Sequence, residues 1–231
     1  MLYRADFHIH SCLSPCASLE MSPMAIVERA KAVGLNAIAL SDHNCGFNLP
    51  AFAAVCVQQG MDCLFGVEAT SEEEAHVLCL FDHLDAAMEW GRMVYESLPP
   101  VPNHSGRFGD QPIIDENEKI LGYAKKFLIS ASGYGVGSMV EQVHALGGLC
   151  IPAHIDRQVF GMIAQLGFLP DEPFDAVELT PFGHMKLAGN YPVIRNSDAH
   201  DLASLGCAST ELDVSTLGVD AIRSYLQARL V

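Results

Sequence analysis

The sequence predicts a mostly parallel α/β fold, and three observations carry the prediction. Short apolar runs of strand character alternate with helical patterns along the chain. Half of the 231 residues are hydrophobic, enough for a full core in one barrel-sized domain over residues 1–231. Four His/Asp clusters each follow or end an apolar run: Asp6-Phe7-His8-Ile9-His10-Ser11, Ser41-Asp42-His43-Asn44, Pro152-Ala153-His154 and Asn196-Ser197-Asp198-Ala199-His200. In a parallel α/β barrel the C-terminal strand ends gather on one face, which makes neighbours of residues distant in sequence.

The elements follow in order. Leu2 to His10 reads as the first strand. Ser22-Pro23 supplies an N-cap and a proline at the first helical position, Ile26, Val27, Ala30 and Val33 recur at helical spacing, and Gly34 closes the helix. Asn36 to Asp42 is a second strand that delivers His43. A helix near Leu49 to Gln59 leads to a strand from Cys63 to Glu68 and to the run His76 to Phe81, and these two can pair around a turn at Ser71 to Ala75. Glu72 to Glu74 in that turn read as a solvated tip.

Pro99 to Gly109 is a Pro/Gly-rich loop, and Gln111 to Tyr123 reads as a hairpin with Asp-Glu-Asn-Glu at its tip. This insertion near residues 99–125 is either a lid over the mouth of a site or a surface excursion or dimer contact. It brings His104, Arg107, Lys125 and Lys126 to a region where cations are scarce, and Arg107 is the candidate phosphate clamp. Then come a helix over Met139 to Leu146, a strand Leu149 to Ala153 presenting His154, and a helix Gln158 to Gln165. A strand Ala176 to Leu179, the approach Tyr191 to Asn196, a short strand Thr210 to Val214 and a helix Val219 to Leu230 complete the chain.

Alternate residues on a strand point to one side, so His8 and His10 converge, as do Asp198 and His200. Two stiff bidentate prongs result, and the clusters together offer more ligand atoms than one tetrahedral zinc uses. A centre of two or three metals is expected. Two imidazoles in an apolar strand would be costly in a core unless bonded or metallated. His144, inside a helix, and His83, at the start of another, read instead as packing, capping or surface residues. Asp6 and Asp42 each neighbour a better-placed histidine and suit the role of accepting the far N–H of a ligating imidazole, with Asn44 and Ser197 in similar positions.

The ordered set resembles the polymerase and histidinol phosphatase (PHP) superfamily of metal-dependent phosphoesterases, over nearly the whole chain. The matching motifs are His8/His10, Asp42-His43, Gly66-Val67-Glu68 followed by His76, the lone His154, and Asp198/His200. The resemblance implies a distorted seven-stranded (β/α) barrel. It implies a first metal on His8, His10, Glu68 and Asp198, a second on Glu68, His76 and His154 with Glu68 bridging, and a third on His43, His200 and a ligand from the loop after the first prong. In that loop Pro15 stands where the family pattern has an acidic residue. Cys16, next in line, is either a thiolate ligand that favours softer ions or a small apolar residue without that role. The ions expected are two or three of zinc, manganese or iron.

The expected chemistry is hydrolysis of a phosphate ester by metal-activated water held near Glu68, with Arg107 or a third ion on a nonbridging oxygen and a metal-bound water or His200 protonating the leaving group. Neither Gly-x-Ser-x-Gly nor a Walker Gly-x-x-x-x-Gly-Lys is present. An amidohydrolase also begins with His-x-His but typically uses a bridging lysine and a lone late Asp. A non-catalytic metal-binding regulatory domain, motivated by Pro15, is the alternative from another class.

No apolar run approaches the roughly 18 residues that span a bilayer, and Met1 to Asp6 lacks the features of a secretion signal, so a cytoplasmic protein with no membrane partner is expected. The eight cysteines, several inside apolar strands, then read as reduced thiols. A formal charge of −15 should repel long polyanions, which favours a small phosphorylated substrate or short oligonucleotide over duplex DNA. The oligomeric state is not legible.

Overall fold

Strand β1 (Leu2–Ile9) is buried along most of its length because neighbours cover both of its edges. The computed structural model describes residues 1–229. Helix α1 (Pro23–Ala32) starts as its sequence dictates: the Ser22 hydroxyl accepts from the Ala25 N–H at 3.2 Å, Pro23 opens the helix, and Gly34 takes φ +79° after its end. It buries Ile26, Val27 and Ala30 and returns the chain to β2 (Ala37–Leu40), which pairs parallel to β1. Helix α2 (Leu49–Gln59) makes the next crossover to β3 (Asp62–Thr70), again parallel.

The rhythm then changes. Ser71 to Ala75 forms a tight turn, with the Ser71 N–H on the Ala75 carbonyl, and β4 (His76–Phe81) runs antiparallel to β3 with Thr70 opposite His76. Glu73 is more than a solvated tip residue, since its carboxylate accepts from the Val136 N–H at 3.1–3.2 Å, at the first residue of a later helix. Helix α3 (Leu84–Ser97), preceded by His83, leads to the insertion: a short α4 (Ser105–Phe108) and the expected hairpin of β5 (Pro112–Ile114) and β6 (Ile120–Tyr123). Helix α5 (Val136–Ala145) precedes β7 (Leu149–Pro152), antiparallel to β4.

The six-stranded sheet has the order β10-β1-β2-β3-β4-β7, where β10 (Thr210–Asp213) lies antiparallel to β1. It is therefore mixed, against the expectation of a mostly parallel sheet, because the β3–β4 turn is too short for a crossover helix. A parallel pair, β8 (Val177–Glu178) and β9 (Val193–Ile194), continues the curl as a separate ladder. Single hydrogen bonds link it onward: Asp175 N–H to Cys150 O, Ile155 N–H to Glu178 O, and His10 N–H to Ala199 O just past β9. The result is an α/β fold with a curled, half-barrel sheet of eight strands in two ladders, six and two, where seven strands in one barrel were expected.

Helix α6 (Met162–Leu166) begins later than the expected Gln158, because Phe160 takes φ +60° and Gly161 caps the helix, leaving 154–161 as a loop. The last helix, α7 (Val219–Gln227), ends before Leu230, which lies outside the described residues.

Alternation explains how the sheet aims its polar residues. Ala37, Ala39, Leu64, Leu78, Leu80, Leu149, Ile151, Ala176 and Ile194 form one apolar cluster, and the intervening Ile38, Leu40, Val67, Val77 and Cys79 pack under the helices with Phe52 and Trp90. Period two then puts Glu68 on the face of Leu64, His76 on that of Leu78, Glu178 on that of Ala176, and Asp198 on that of Ile194. Strand β1 needs a correction to join them. Tyr3, Ala5 and Phe7 face inward, and a register shift against β2 between Asp6 and Ile9 lets His8 and His10 face inward as well.

Candidate metal centre

Glu68 sits at the centre of the inward-facing group, with its carboxylate among five imidazoles. Its Oε1 lies 2.9 Å from His76 Nδ1, 3.0 Å from His154 Nε2 and 3.2 Å from His8 Nε2, and its Oε2 lies 2.9 Å from His43 Nδ1 and 3.4 Å from His10 Nε2. Backbone bonds fix part of this: Glu68 N–H donates to Asp42 O and Asn44 N–H to Glu68 O, which keeps His43 beside Glu68. Asp198 Oδ1 lies 3.3 Å from the Nε2 atoms of both His8 and His10, so the two prongs expected from i, i+2 spacing close on the same point. The His10 and His200 rings stack at 4.2 Å. Cys16 stands at the rim, its Sγ 3.3 Å from His43 Nε2. All nine expected ligand residues therefore meet in one place.

The donor atoms fit a cluster of divalent ions. His8 Nε2, His10 Nε2, His43 Nδ1, His76 Nε2, His154 Nδ1, Glu68 Oε2 and Asp198 Oδ1 are buried without a hydrogen-bond partner, a concentration of unsatisfied polar atoms that a protein core does not tolerate without compensation. Three sets have ligand atoms within 4.8 Å of one another: His8/His10/Asp198, His43/Glu68/His76 and His10/His43/His200. These overlap the three sets the resemblance implied, with His154 joining through Glu68.

Charge and burial set the protonation of the group. Burial pushes the His10 imidazole well down, helped by His200 and His43, and takes His76 to about 4, so both rings are neutral and able to ligate. Burial opposes protonation of His8 too, but Glu178, Glu68 and Asp198 outweigh it and hold His8 well above its ordinary range. Burial would raise Asp198, yet His8 and His10 hold it well below the usual carboxylate range. Cys16 is lowered to about 7, because hydrogen bonds from His200 and His43 overcome the opposing effect of burial. Strain accompanies the ligands, with φ of +29° at His154 and +50° at Asp198.

The carboxylates behind the ligands differ from those expected. Glu178, 2% exposed, faces His8 Nδ1 at 2.9 Å, accepts the His154 N–H at 3.0 Å and takes a bond from Asn196 at 2.7 Å. Its only sequence signal is an acidic residue at an inward position of the strand-like run Ala176 to Leu179. Asp42 reaches His10 through Ser14, whose hydroxyl lies 2.7 Å from Asp42 and 3.0 Å from His10 Nδ1. Asp6 contacts no imidazole and instead accepts from the Ser197 and Gly206 N–H groups, pinning the segment that carries Asp198.

A cavity of about 410 Å³ opens over the ligands and is lined on its other sides by Ile129, Arg157, Gln158, Val159 and Phe160. Arg107 is not among the lining residues; it is exposed on α4, over the Phe108 ring at 5.3 Å. The cation at the cavity is Arg157, whose Nη1 donates to Asp198 Oδ2 at 2.6 Å. The insertion hairpin does not line the cavity either. It braces the starts of α2 and α1: Asn48 bonds Pro112 and Ile114, and the Ser22 hydroxyl donates to Glu118. Lys126 is spent on three carbonyls at the end of α3. His144 pairs with Asp175 at 2.8 Å, away from the centre. All eight cysteines are free, and among the described residues no helix is long and apolar enough to cross a membrane.

Known structures share this fold. Endonuclease Q from Pyrococcus furiosus matches with a TM-score of 0.74 and 19% identity over 99% of this chain, which spans 56% of that protein. An endonuclease Q complex with a 27-mer duplex, an abasic lesion at its active site, matches equally, with this chain spanning 57% of it. A Bifidobacterium adolescentis protein assigned as a metal-dependent phosphoesterase matches with a TM-score of 0.62 and 16% identity over 96% of this chain and 95% of its own. No curated protein matches by sequence. The duplex complex overturns the exclusion of duplex nucleic acid. Summed charge describes screened repulsion at a distance and does not decide what docks locally at the centre. Residues 6–167 match the PHP domain model, a span that holds seven of the nine expected ligands, and Asp198 and His200 close the same centre from the last third: the chain belongs to the PHP domain family of metal-dependent hydrolases.

Proposed function

We propose that this chain hydrolyses phosphate esters at a centre of two or three zinc, manganese or iron ions, with a small phosphomonoester or nucleotide as substrate. The observation that carries the reading is the ring of buried, unpartnered donor atoms around Glu68, opening onto a cavity with one arginine at its edge. His8, His10 and Asp198 would hold one ion, His76 and His154 a second, Glu68 would bridge them, and His43, His200 and Cys16 would hold a third. Bound there, such ions lower the pKa of water from about 15.7 toward neutrality and offset charge on phosphoryl oxygens.

The chain's own residues do the rest. Arg157, anchored through Nη1 on Asp198, keeps its other N–H groups for a phosphoryl oxygen. His200 has its Nδ1 against the Asp198 carbonyl at 2.8 Å, which leaves Nε2 to give a proton to the leaving alkoxide when the third set is empty, or to ligate when it is filled. Neutral His10 and His76 and ionised Glu68 and Asp198 are the ligating forms already at neutral pH. The eight free thiols suit a reducing, cytoplasmic compartment.

A second reading is cleavage of a phosphodiester in lesion-bearing duplex DNA, favoured by the match of endonuclease Q over nearly this whole chain. Elemental analysis, with phosphate release from phosphomonoesters and cleavage of an abasic duplex assayed in parallel, separates the readings. Two to three equivalents of metal and phosphomonoester turnover lost in His10→Ala support the first, and duplex cleavage alone supports the second. Metal without turnover of either would leave a regulatory role.

A further inference from the structure

The cavity over the centre has one wall that the ligands and the arginine do not use. It is apolar, lined by Ile129, Val159 and Phe160. Two local devices hold it in place. Asn44, next to His43, donates to both the Leu128 and Ser130 carbonyls, at 2.5 and 2.9 Å, and so pins Ile129 between them at the cavity edge. The chain from His154 to Gly161 is in turn folded tightly, with the Arg157 N–H on the His154 carbonyl at 2.8 Å. Phe160 holds φ +60°, an unfavourable backbone for an aromatic residue. A Cβ on Gly161 would lie 2.2 Å from the Arg157 carbonyl, so only glycine permits the fold of this loop.

That constraint presents apolar surface to solvent beside a metal centre. Val159 is 62% exposed, and the Phe160 ring lies parallel to His76, 4.4 Å away with the planes 5° apart. Arg157 is the only Lys or Arg lining the cavity, which suits one phosphoryl group. The volume, about 410 Å³, is at the small end of ligand sites, which run from about 300 to 1,000 Å³.

We infer that the wall of Ile129, Val159 and Phe160 selects esters of a single phosphate whose alcohol carries an apolar or aromatic group, and disfavours polyol phosphates; this rests on the phosphoesterase reading. The phosphoryl group takes the Arg157 side, and the organic group displaces water from the apolar side. Burial of roughly 55 Å² of apolar surface there is worth about tenfold in affinity.

The test uses matched pairs that differ only in the organic group. Binding of 2-phenylethylphosphonate and ethylphosphonate to the metal-loaded protein is measured by calorimetry, and turnover of 2-phenylethyl phosphate, ethyl phosphate and ribose 5-phosphate by phosphate release. The phenyl compounds are expected to bind and react about tenfold better. That ratio should fall toward one in Val159→Ser and in Ile129→Ser, and persist in Val57→Ser, an exposed valine far away on α2. Equal binding of the two phosphonates, or a preference that survives both wall substitutions, overturns the inference. A phosphonate preference without turnover of any ester supports the wall and overturns the hydrolase reading instead.

Discussion

His8 presents Nδ1 to Glu178 Oε2 at 2.9 Å, and its other nitrogen, buried and unpartnered, points at Glu68 and Asp198. The carboxylate accepts the Nδ1–H bond and keeps that proton on the ring, so the proton that His8 gives up to an incoming ion is the one on Nε2. Because Glu178 also accepts the His154 N–H, one side chain steadies two residues proposed to hold different ions. Glu178→Gln should weaken binding of the tightest lost ion by about 10- to 100-fold, read by chelator competition. Unchanged affinity would reduce Glu178 to a packing residue.

Glu68 is the hub, so its replacement should disable the centre without emptying the fold. Glu68→Gln keeps the shape and removes the charge shared among the imidazoles. At least one equivalent of metal should be lost, and kcat/KM should fall by about a thousandfold. Full metal content with near-normal turnover would show that the ions are held elsewhere.

Removal of the ions should also cost stability. For each ion present at about 100 times its Kd, the folded state gains about 2.7 kcal/mol, which corresponds to roughly 5–10 °C in a chain of this size. Calorimetry with and without chelator reads the difference. The same chelator should change the Tm of a His10→Ala protein by less.

Arg157 and Arg107 make a paired comparison. Arg157→Gln should raise KM for a phosphate ester by about tenfold or more, through loss of a charge-assisted contact. Arg107→Gln, on an exposed helix turn, should stay within about twofold. The reverse pattern would restore the insertion as the phosphate-binding element.

Cys16 offers a readout by pH. In metal-free protein its thiol titrates near 7, so alkylation by iodoacetamide should be slow below that pH and rise through it as thiolate forms. Cys207 is also exposed, but burial and Asp6 raise it, so its reaction should appear only at higher pH. Mass spectrometry of the labelled peptides distinguishes the two. Protection of Cys16 by added zinc would indicate ligation, and alkylation indifferent to zinc would assign it to the rim alone.

The residues that converge around Glu68 were legible because they recur at strand ends, where period two and the order of the clusters constrain them together. The helix starts at Ser22 and Leu49 were legible for a similar local reason. What was not legible depends on distant contacts. The choice of Arg157 over Arg107 follows from a loop folded around Gly161, and both residues look alike as isolated cations in polar segments. Glu178 announces itself only through the inward position it shares with Ala176. Glu73 looked like a solvated charge until α5 supplied an N–H for it. The register shift in β1 has no composition cue, and without it His8 and His10 would share a face with Asp6 under the helices.

Glu68 and His76 flank the turn from Ser71 to Ala75, while Asp198 reaches His8 and His10 from a segment far along the chain. Closing the first contact costs little chain entropy and the last costs much more. The proposed centre therefore joins a short-range arm, the carboxylate and imidazole of the β3–β4 hairpin, to a long-range one, closed where Ala199 bonds to His10. Until that closure, an ion arriving at the chain would meet only part of its coordination shell. An ion proposed on the His8/His10 prong would thus bind tightly only once that distant segment has closed on β1.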